Sequence, residues 1–215
     1  IVAKLTARQG WFAFLSGKPQ EAAELLQQSL AALRPDGEPE AIIYALNYLS
    51  VVNYTLDDFA SAHALCTEAL QIAEANRKTY RMAISNNILS QIAFKQDQYE
   101  VAQAHSQMSL KLEQALGNRW SMGFSLVNLG RVAVALGDYA TARAHFSESL
   151  AIREEMEDSR GQGLCQLYLG EMAAEQDDHT AAQDHYQQSL AIFRQIGDQV
   201  TVEKLQARLA ALPTG

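Results

Sequence analysis

Residues 121–160 read SMGFSLVNLGRVAVALGDYATARAHFSESLAIREEMEDSR, and residues 161–200 read GQGLCQLYLGEMAAEQDDHTAAQDHYQQSLAIFRQIGDQV. The two stretches match without a gap, and both contain a leucine–glycine pair followed later by the run Ser-Leu-Ala-Ile. The same pattern continues toward the N-terminus through residues 81–120, 41–80 and 1–40. The chain is therefore predicted to be an array of five repeats, in which each repeat packs only against its neighbours.

Each repeat divides into two amphipathic helical segments, because apolar residues recur at steps of three, four and seven. Glycine or aspartate marks the turn between the two segments, in Gly17-Lys18-Pro19, Asp57-Asp58, Gly137-Asp138 and Asp177-Asp178. The second segments share an alanine column, which lets two helices approach closely: Ala22, Ala62, Ala102, Ala142 and Ala182. The pattern predicts an all-α fold of about eleven paired helices, forming one domain over residues 1–215 with a capping helix at 201–213.

Composition and charge restrict the classes of partner. The 17 basic and 25 acidic residues give a net charge of −8, which disfavours direct binding to a nucleic acid. No apolar run approaches the ~20 residues that a membrane span requires. Cys66 and Cys165 fall in repeats too far apart for a disulfide, and two unpaired thiols predict a reducing, cytoplasmic compartment. The first residue is Ile1 rather than methionine, so we expect the sequence to be a piece of a longer protein.

Catalytic and metal-binding patterns are not found. The chain contains no phosphate-binding glycine-rich loop, HExxH, GxSxG or CxxC. His105, His145 and His185 occupy one column of the second segments, but equivalent residues one repeat apart lie ~10 Å from each other and cannot share an ion. We therefore expect no catalytic residue, no metal and no cofactor, and the chain is predicted not to be an enzyme.

The first segments carry aromatic residues at positions that are not needed for the core. Tryptophan and tyrosine supply a large contact area, so rings on such a face indicate a binding surface. Asparagines lie between them, and an amide offers both a donor and an acceptor to a peptide backbone. The candidate binding residues are Arg8, Trp11, Tyr44, Asn47, Tyr48, Asn87, Gln91, Phe124, Asn128, Arg131 and Tyr168. The alternative is that some rings pack on the adjacent first helix and that the asparagines are only solvated.

The repeat columns resemble the tetratricopeptide repeat, in its longer form of forty residues, over the whole chain. The family's leucine followed by a small residue matches Leu49-Ser50, Leu89-Ser90, Leu129-Gly130 and Leu169-Gly170. Its aromatic residue in the second helix is present as Phe146 and Tyr186, but Leu26, Cys66 and Ser106 stand at the equivalent positions. The resemblance implies a right-handed superhelical solenoid of paired antiparallel helices, whose first helices line a concave groove. HEAT repeats, which have a similar period, are the alternative.

Three functions remain open on this basis. The array is similar to the C-terminal repeat arrays of bacterial signal-transducing ATPases and transcription regulators, so the leading hypothesis is an interaction module that binds a peptide or protein segment as the sensing or docking arm of a larger regulator. The second is a small-molecule sensor that uses the aromatic groove. The third is self-association through the solenoid ends, where Ile1, Val2 and Leu5 would be exposed.

Overall fold

The computed structural model describes residues 2–213, which form eleven α-helices and contain no strand. The helices are α1 (Val2–Leu15), α2 (Pro19–Leu33), α3 (Pro39–Thr55), α4 (Phe59–Ala75), α5 (Thr79–Lys95), α6 (Tyr99–Leu116), α7 (Arg119–Ala135), α8 (Tyr139–Glu155), α9 (Ser159–Glu175), α10 (His179–Gln195) and α11 (Gln199–Ala211). The prediction of an all-α chain of paired helices is confirmed. The first helices of the four inner repeats each begin two residues before the forty-residue block predicted from the sequence.

The turns between paired helices follow from two adjacent residues. The first of them takes a positive φ, as in Gly17 (76°) and Asp57 (61°), a conformation that glycine and, less readily, aspartate can adopt. The second is the N-cap of the following helix, and the Asp138 carboxylate accepts a hydrogen bond from the Thr141 backbone N–H at 3.1 Å. This geometry explains why Gly-Asp and Asp-Asp pairs mark the repeat in the sequence.

The helices group into two compact units, an N-terminal unit of α1–α6 ending at residue 116 and a C-terminal unit of α7–α11 beginning at residue 117. In the N-terminal unit α1 packs on α2, α3 on α4 and α5 on α6, and α2 and α4 pack in turn on the first helix of the next repeat. The C-terminal unit repeats this arrangement, with α10 also packed on α11. The expected single domain over residues 1–215 stays a prediction.

Small residues of the second helices bring the paired helices close together. All five alanines of the column that begins with Ala22 are buried. The small residue seven positions later is a buried serine in four repeats, and its hydroxyl donates to a carbonyl of the first helix, as from Ser149 to Gly123 O at 2.8 Å. The serine hydroxyl and the carbonyl oxygen thus satisfy each other's hydrogen bonds inside the helix interface. An alanine at this position would be small enough to fit but could not donate this hydrogen bond.

Each unit contains one free, buried cysteine, Cys66 in α4 and Cys165 in α9. Burial raises the pKa of the Cys66 thiol to about 12 and also raises the pKa of Cys165. Because the thiolate is the reactive form, we expect both residues in the native protein to react with a thiol reagent at pH 8 at least about a hundredfold more slowly than free cysteine. Spectrophotometric thiol titration with and without urea measures this difference. Rapid labelling of Cys66 and Cys165 in the native protein would contradict their buried placement.

Candidate functional site

Four aromatic side chains form a continuous layer on the first helices of the N-terminal unit. Trp11 and Phe14 on α1 stack with their ring centroids 5.1 Å apart. Trp11 meets Tyr48 of α3 at 4.1 Å, and Tyr48 meets Tyr44 edge to face at 4.2 Å. We call these four residues the aromatic layer. All are partly exposed, so each ring packs against its neighbour and also presents surface to solvent.

Arg81 of α5 extends the aromatic layer onto a third helix. Its guanidinium lies 5.8 Å from the Tyr44 ring centroid and 5.7 Å from that of Tyr80, within the range of cation–π attraction. Its Nε donates to Glu40 Oε1 at 2.5 Å. Arg81 was not among the predicted site residues, because the forty-residue comparison treats position 81 as the edge of a repeat.

A cavity of about 260 Å³ lies beside the aromatic layer, lined by Lys4, Arg8, Glu38, Tyr44 and Arg81 among others. The Lys4 ammonium pairs with Glu38 at 2.7 Å. Arg8 is exposed and makes no ion pair with any residue in the described range 2–213. The cavity therefore presents a guanidinium that is available to an anionic group, next to the ring of a tyrosine.

Tyr48 lies in the middle of the aromatic layer, between Trp11 and Tyr44. Burial, followed by the neighbouring Tyr44, raises its pKa to about 12. The Tyr48 hydroxyl therefore remains protonated at any physiological pH, and it hydrogen-bonds to Tyr44 within the layer.

The asparagines and Gln91 do not all lie where the sequence pattern placed them. Asn47 is 3 % exposed, and its Oδ1 accepts from Ser85 Oγ at 3.1 Å. Its Nδ2 is buried without a hydrogen-bond partner among the described residues. Asn87 and Gln91 are half-buried on α5 and bond to each other, with Gln91 Nε2 donating to Asn87 Oδ1 at 2.9 Å. The expectation that Asn47 faces outward is thus corrected, because the small Ser85 and Cys66 beside it leave space for its amide inside the core.

The C-terminal unit carries Phe124 at an exposed position of α7. Its ring meets Trp120 edge to face at 4.6 Å, and the Arg153 guanidinium lies 4.0 Å from its centroid. Arg153 is 2 % exposed and donates through Nη1 to Asp158 Oδ2 at 2.7 Å. Trp120, which is about half exposed, was missed because it stands one residue before a repeat boundary.

The remaining predicted residues of this unit lie on α7 and α9. The Arg131 guanidinium lies 5.4 Å from the Tyr168 ring centroid, and Tyr168 stacks on the buried Phe146 at 5.8 Å. Burial raises the pKa of Tyr168. Asn128 is 8 % exposed, so its expected place on an open face is corrected as well. Of the four predicted residues, Phe124 is thus the most accessible to a ligand.

The histidine column holds polar contacts within the helix pairs. His105 Nδ1 lies 2.9 Å from Asn86 Oδ1, and His185 Nδ1 lies 2.7 Å from Gln166 Oε1. Burial lowers the pKa of His105, His145 and His185. Within residues 2–213 there is no group of three or more His, Cys, Asp or Glu side chains that could hold a metal ion, and no helix there is long and apolar enough to cross a membrane.

Family models described as tetratricopeptide repeat match three segments of the chain. One model matches residues 80–155 and 121–195, and a second matches residues 42–76. The first model alone spans more than half of the 215 residues. No curated protein matches the chain by sequence.

Several solved structures share the fold. The signal transduction ATPase with numerous domains (STAND) protein with a tetratricopeptide repeat sensor from Pyrococcus horikoshii superimposes with a TM-score of 0.79 at 13% identity, over 95% of this chain and 31% of that one. A Rap protein complexed with competence and sporulation factor gives 0.83 at 18% identity, over 93% and 56%. A putative kinesin light chain from Podosopora anserina gives 0.67 at 18%, over 89% and 94%. At these identities the likeness shows the fold alone, and the chain spans about a third and about half of the first two proteins.

Proposed function

Because the chain belongs to the tetratricopeptide repeat family, we propose that it is a protein–protein interaction module that binds a peptide segment on the aromatic layer of its N-terminal unit. The family's repeat is generally a non-catalytic interaction scaffold. The described residues fit that role, because both units present aromatic side chains on their first helices.

The observation that carries the proposal is the unbroken contact from Phe14 through Trp11, Tyr48 and Tyr44 to Arg81. Ring-to-ring contacts join α1 to α3, and a cation–π contact joins α3 to α5. Residues that are packed against each other have little rotamer freedom to lose when a ligand binds. Rigid aromatic and arginine side chains are also those that contribute most to binding at protein interfaces.

The cavity beside the layer supports a ligand that carries an acidic side chain. Arg8 is the cation of this cavity that has no acidic partner in the described part of the chain, whereas Lys4 and Arg81 each pair with a glutamate. A ligand carboxylate that reached Arg8 would form a charge-assisted hydrogen bond. The proposed ligand is therefore a segment with an apolar stretch against the rings and an acidic residue next to it.

The larger context is also part of the proposal. We infer that the array is the sensing or docking arm of a larger regulator, which is supported by the fold shared with a STAND protein described as having a tetratricopeptide repeat sensor. The peptide proposal is supported by the Rap protein, which was solved in a complex with competence and sporulation factor. A cytoplasmic location belongs to the same proposal.

Selection from a displayed library of random peptides tests the aromatic layer directly. We expect the wild-type chain to enrich peptides that bind it, and Tyr48→Ala to weaken their binding by about 30-fold, the effect of losing an interface hot spot of ~2 kcal/mol. Fluorescence anisotropy with the enriched peptides gives the dissociation constants. Tyr99→Ala is the matched control, because Tyr99 is a partly exposed tyrosine of the same unit that contacts Phe94 rather than the layer.

Two outcomes would count against this function. The first is that the library yields no enriched peptide. The second is that Tyr48→Ala and Tyr99→Ala bind the enriched peptides equally well, which would place the binding surface elsewhere.

A small anionic molecule in the cavity beside Arg8 is the second candidate. The volume of about 260 Å³ lies near the lower end of ligand pockets. A thermal-shift screen with carboxylates and phosphates distinguishes this candidate, because a ligand of the native state raises the melting temperature. The increase should be lost in Arg8→Gln, whereas a panel without any increase would remove the candidate.

A further inference from the structure

A cavity of about 500 Å³ lies between α2 and α4 of the N-terminal unit. Both helices pack on α3, and α3 forms the floor of the cavity with the buried residues Leu49 and Asn53. Leu30 of α2 and Leu65 of α4 contribute to its walls. The volume lies within the range of small-molecule sites, which combine apolar walls with a few polar groups. None of the four residues of the aromatic layer lines this cavity.

Asn53 brings a polar group to the floor of the cavity. The residue is only 9 % exposed, and its side chain forms no hydrogen bond with any residue of the described range 2–213. Because Asn53 lines the cavity, its amide donor and acceptor are available there. Buried polar groups in native proteins almost always have a hydrogen-bond partner. The amide therefore indicates a partner that enters the cavity.

The other repeats show that the fold does not require an asparagine at this position. The four residues equivalent to Asn53 are all buried alanines: Ala13, Ala93, Ala133 and Ala173. Asparagine is less favourable than alanine in the interior of a helix, and burial of an amide without a partner adds a further cost. Asn53 is thus a departure from the repeat that lowers stability, and such departures are expected at functional positions.

The charges that line the cavity neutralise each other. Arg34 donates through Nη1 and Nη2 to the two carboxylate oxygens of Glu68, at 2.7 and 2.8 Å. This bidentate pair joins α2 to α4 and occupies the guanidinium. The next two second helices have Glu74 and Met108 at these positions and cannot form the same bridge. The cavity thus offers an amide but no uncompensated charge, which favours an uncharged ligand.

We infer that the cavity between α2 and α4 is a second binding site, for a neutral small molecule whose primary amide or lactam group pairs with Asn53. The Asn53 side chain offers an N–H donor and a carbonyl acceptor in one plane. A primary amide or a lactam presents both complementary groups on one edge, whereas the N–H and C=O of a trans peptide bond point in opposite directions. The apolar part of the ligand lies against Leu30, Leu49 and Leu65. Because the cavity shares no residue with the aromatic layer, the inference does not depend on the proposed peptide.

Proton–nitrogen correlation NMR on the full 215-residue chain observes the Asn53 side chain directly. Its NH₂ signals are identified by their loss in Asn53→Ala. We expect benzamide and valerolactam to shift these signals saturably. Benzoate should leave them unchanged, because it is charged and carries no N–H donor. The absence of a saturable shift with either amide would show that only water meets Asn53, and would overturn the inference.

Variants of the lining distinguish this cavity from non-specific binding. Asn53→Ala should weaken benzamide binding by at least about tenfold, the effect of losing paired hydrogen bonds, as followed by the backbone signals of Ala64 and Leu65. Gln28→Ala is the matched control, since Gln28 is an exposed carboxamide of α2 that does not line the cavity. Equal affinity of the two variants would contradict the role of Asn53.

Thermal unfolding without a ligand gives an independent test. We expect the melting temperature of Asn53→Ala to equal or exceed that of the wild-type chain, because alanine occupies this position in the other four repeats and the substitution removes an amide that has no partner among the described residues. A clearly lower melting temperature would show that Asn53 stabilises the native fold, and the residue would then need no ligand to explain it.

Discussion

Asp158→Ala is expected to destabilise the C-terminal unit by about 3–5 kcal/mol, because it leaves a buried guanidinium without its carboxylate. Arg153 is 2 % exposed, and its Nη1 donates to Asp158 Oδ2 at 2.7 Å. The other oxygen of the same carboxylate caps α9 by accepting from the Gly161 backbone N–H at 2.9 Å. The substitution therefore removes the counterion of a buried charge and the cap of a helix together.

Asp138→Ala separates these two contributions. Asp138 caps α8 through the Thr141 backbone N–H at 3.1 Å, and among the described residues it forms no ion pair with an arginine. Its replacement should cost about 1 kcal/mol, the typical loss for an N-cap. Urea unfolding followed by circular dichroism compares the two variants. Equal losses would show that the buried ion pair contributes nothing measurable.

Arg153→Met gives the reverse test of the same pair. Methionine keeps most of the apolar volume beneath Phe124, and the remaining Asp158 carboxylate is about a fifth exposed, so water can solvate it. We expect this variant to lose less stability than Asp158→Ala, because removing the buried charge is easier to tolerate than leaving it unpaired. The double variant should recover part of the loss of Asp158→Ala.

The recurrent part of the fold was predictable because each repeat contact occurs several times in the sequence. The alanine column, the capped turns and the paired helices all follow from positions that are forty residues apart. Features that occur once give no such signal. The buried position of Arg153 is occupied in the other repeats by Leu33, Ala73, Glu113 and Phe193. The structure explains how an arginine fits there, because Gly123 and Gly161 leave room for its side chain.

The candidate site was predicted in part, for a related reason. A ring at a position outside the core columns indicates a surface, and Trp11, Tyr44 and Tyr48 do lie together. Whether a side chain at the edge of that surface is buried depends on the size of its neighbours, and its position in the repeat does not determine it. Asn47 is buried because Ser85 is small enough to admit its amide and supplies a hydroxyl to it. Arg81 contacts the Tyr44 ring of this surface. It stands at a repeat boundary, and the comparison of equivalent repeat positions does not include that boundary among the candidate site positions.

Gly130→Ala is expected to destabilise the native chain but to stabilise it when Phe146 is already alanine. A Cβ on Gly130 would lie 2.6 Å from Cδ1 of the buried Phe146 ring, an overlap that costs about 1–3 kcal/mol in a packed core. Phe146→Ala alone should cost about 3–5 kcal/mol through the cavity it creates. In that background the overlap is gone, and replacing a helical glycine by alanine should gain about 1 kcal/mol. The sign of the Gly130 substitution therefore reports the contact itself.

Other repeats show the same relation between the residue equivalent to Gly130 and the residue equivalent to Phe146. Glycine stands at this column where the facing residue is large, as in Gly10 with Leu26 and Gly170 with Tyr186. Serine stands there where the facing residue is small, and Ser90 Oγ hydrogen-bonds to Ser106 Oγ. The departures of the second helix from the family's aromatic residue are thus compensated on the first helix. A double-mutant cycle by urea unfolding measures the coupling, and a Gly130→Ala effect of the same sign in both backgrounds would show that the two residues are independent.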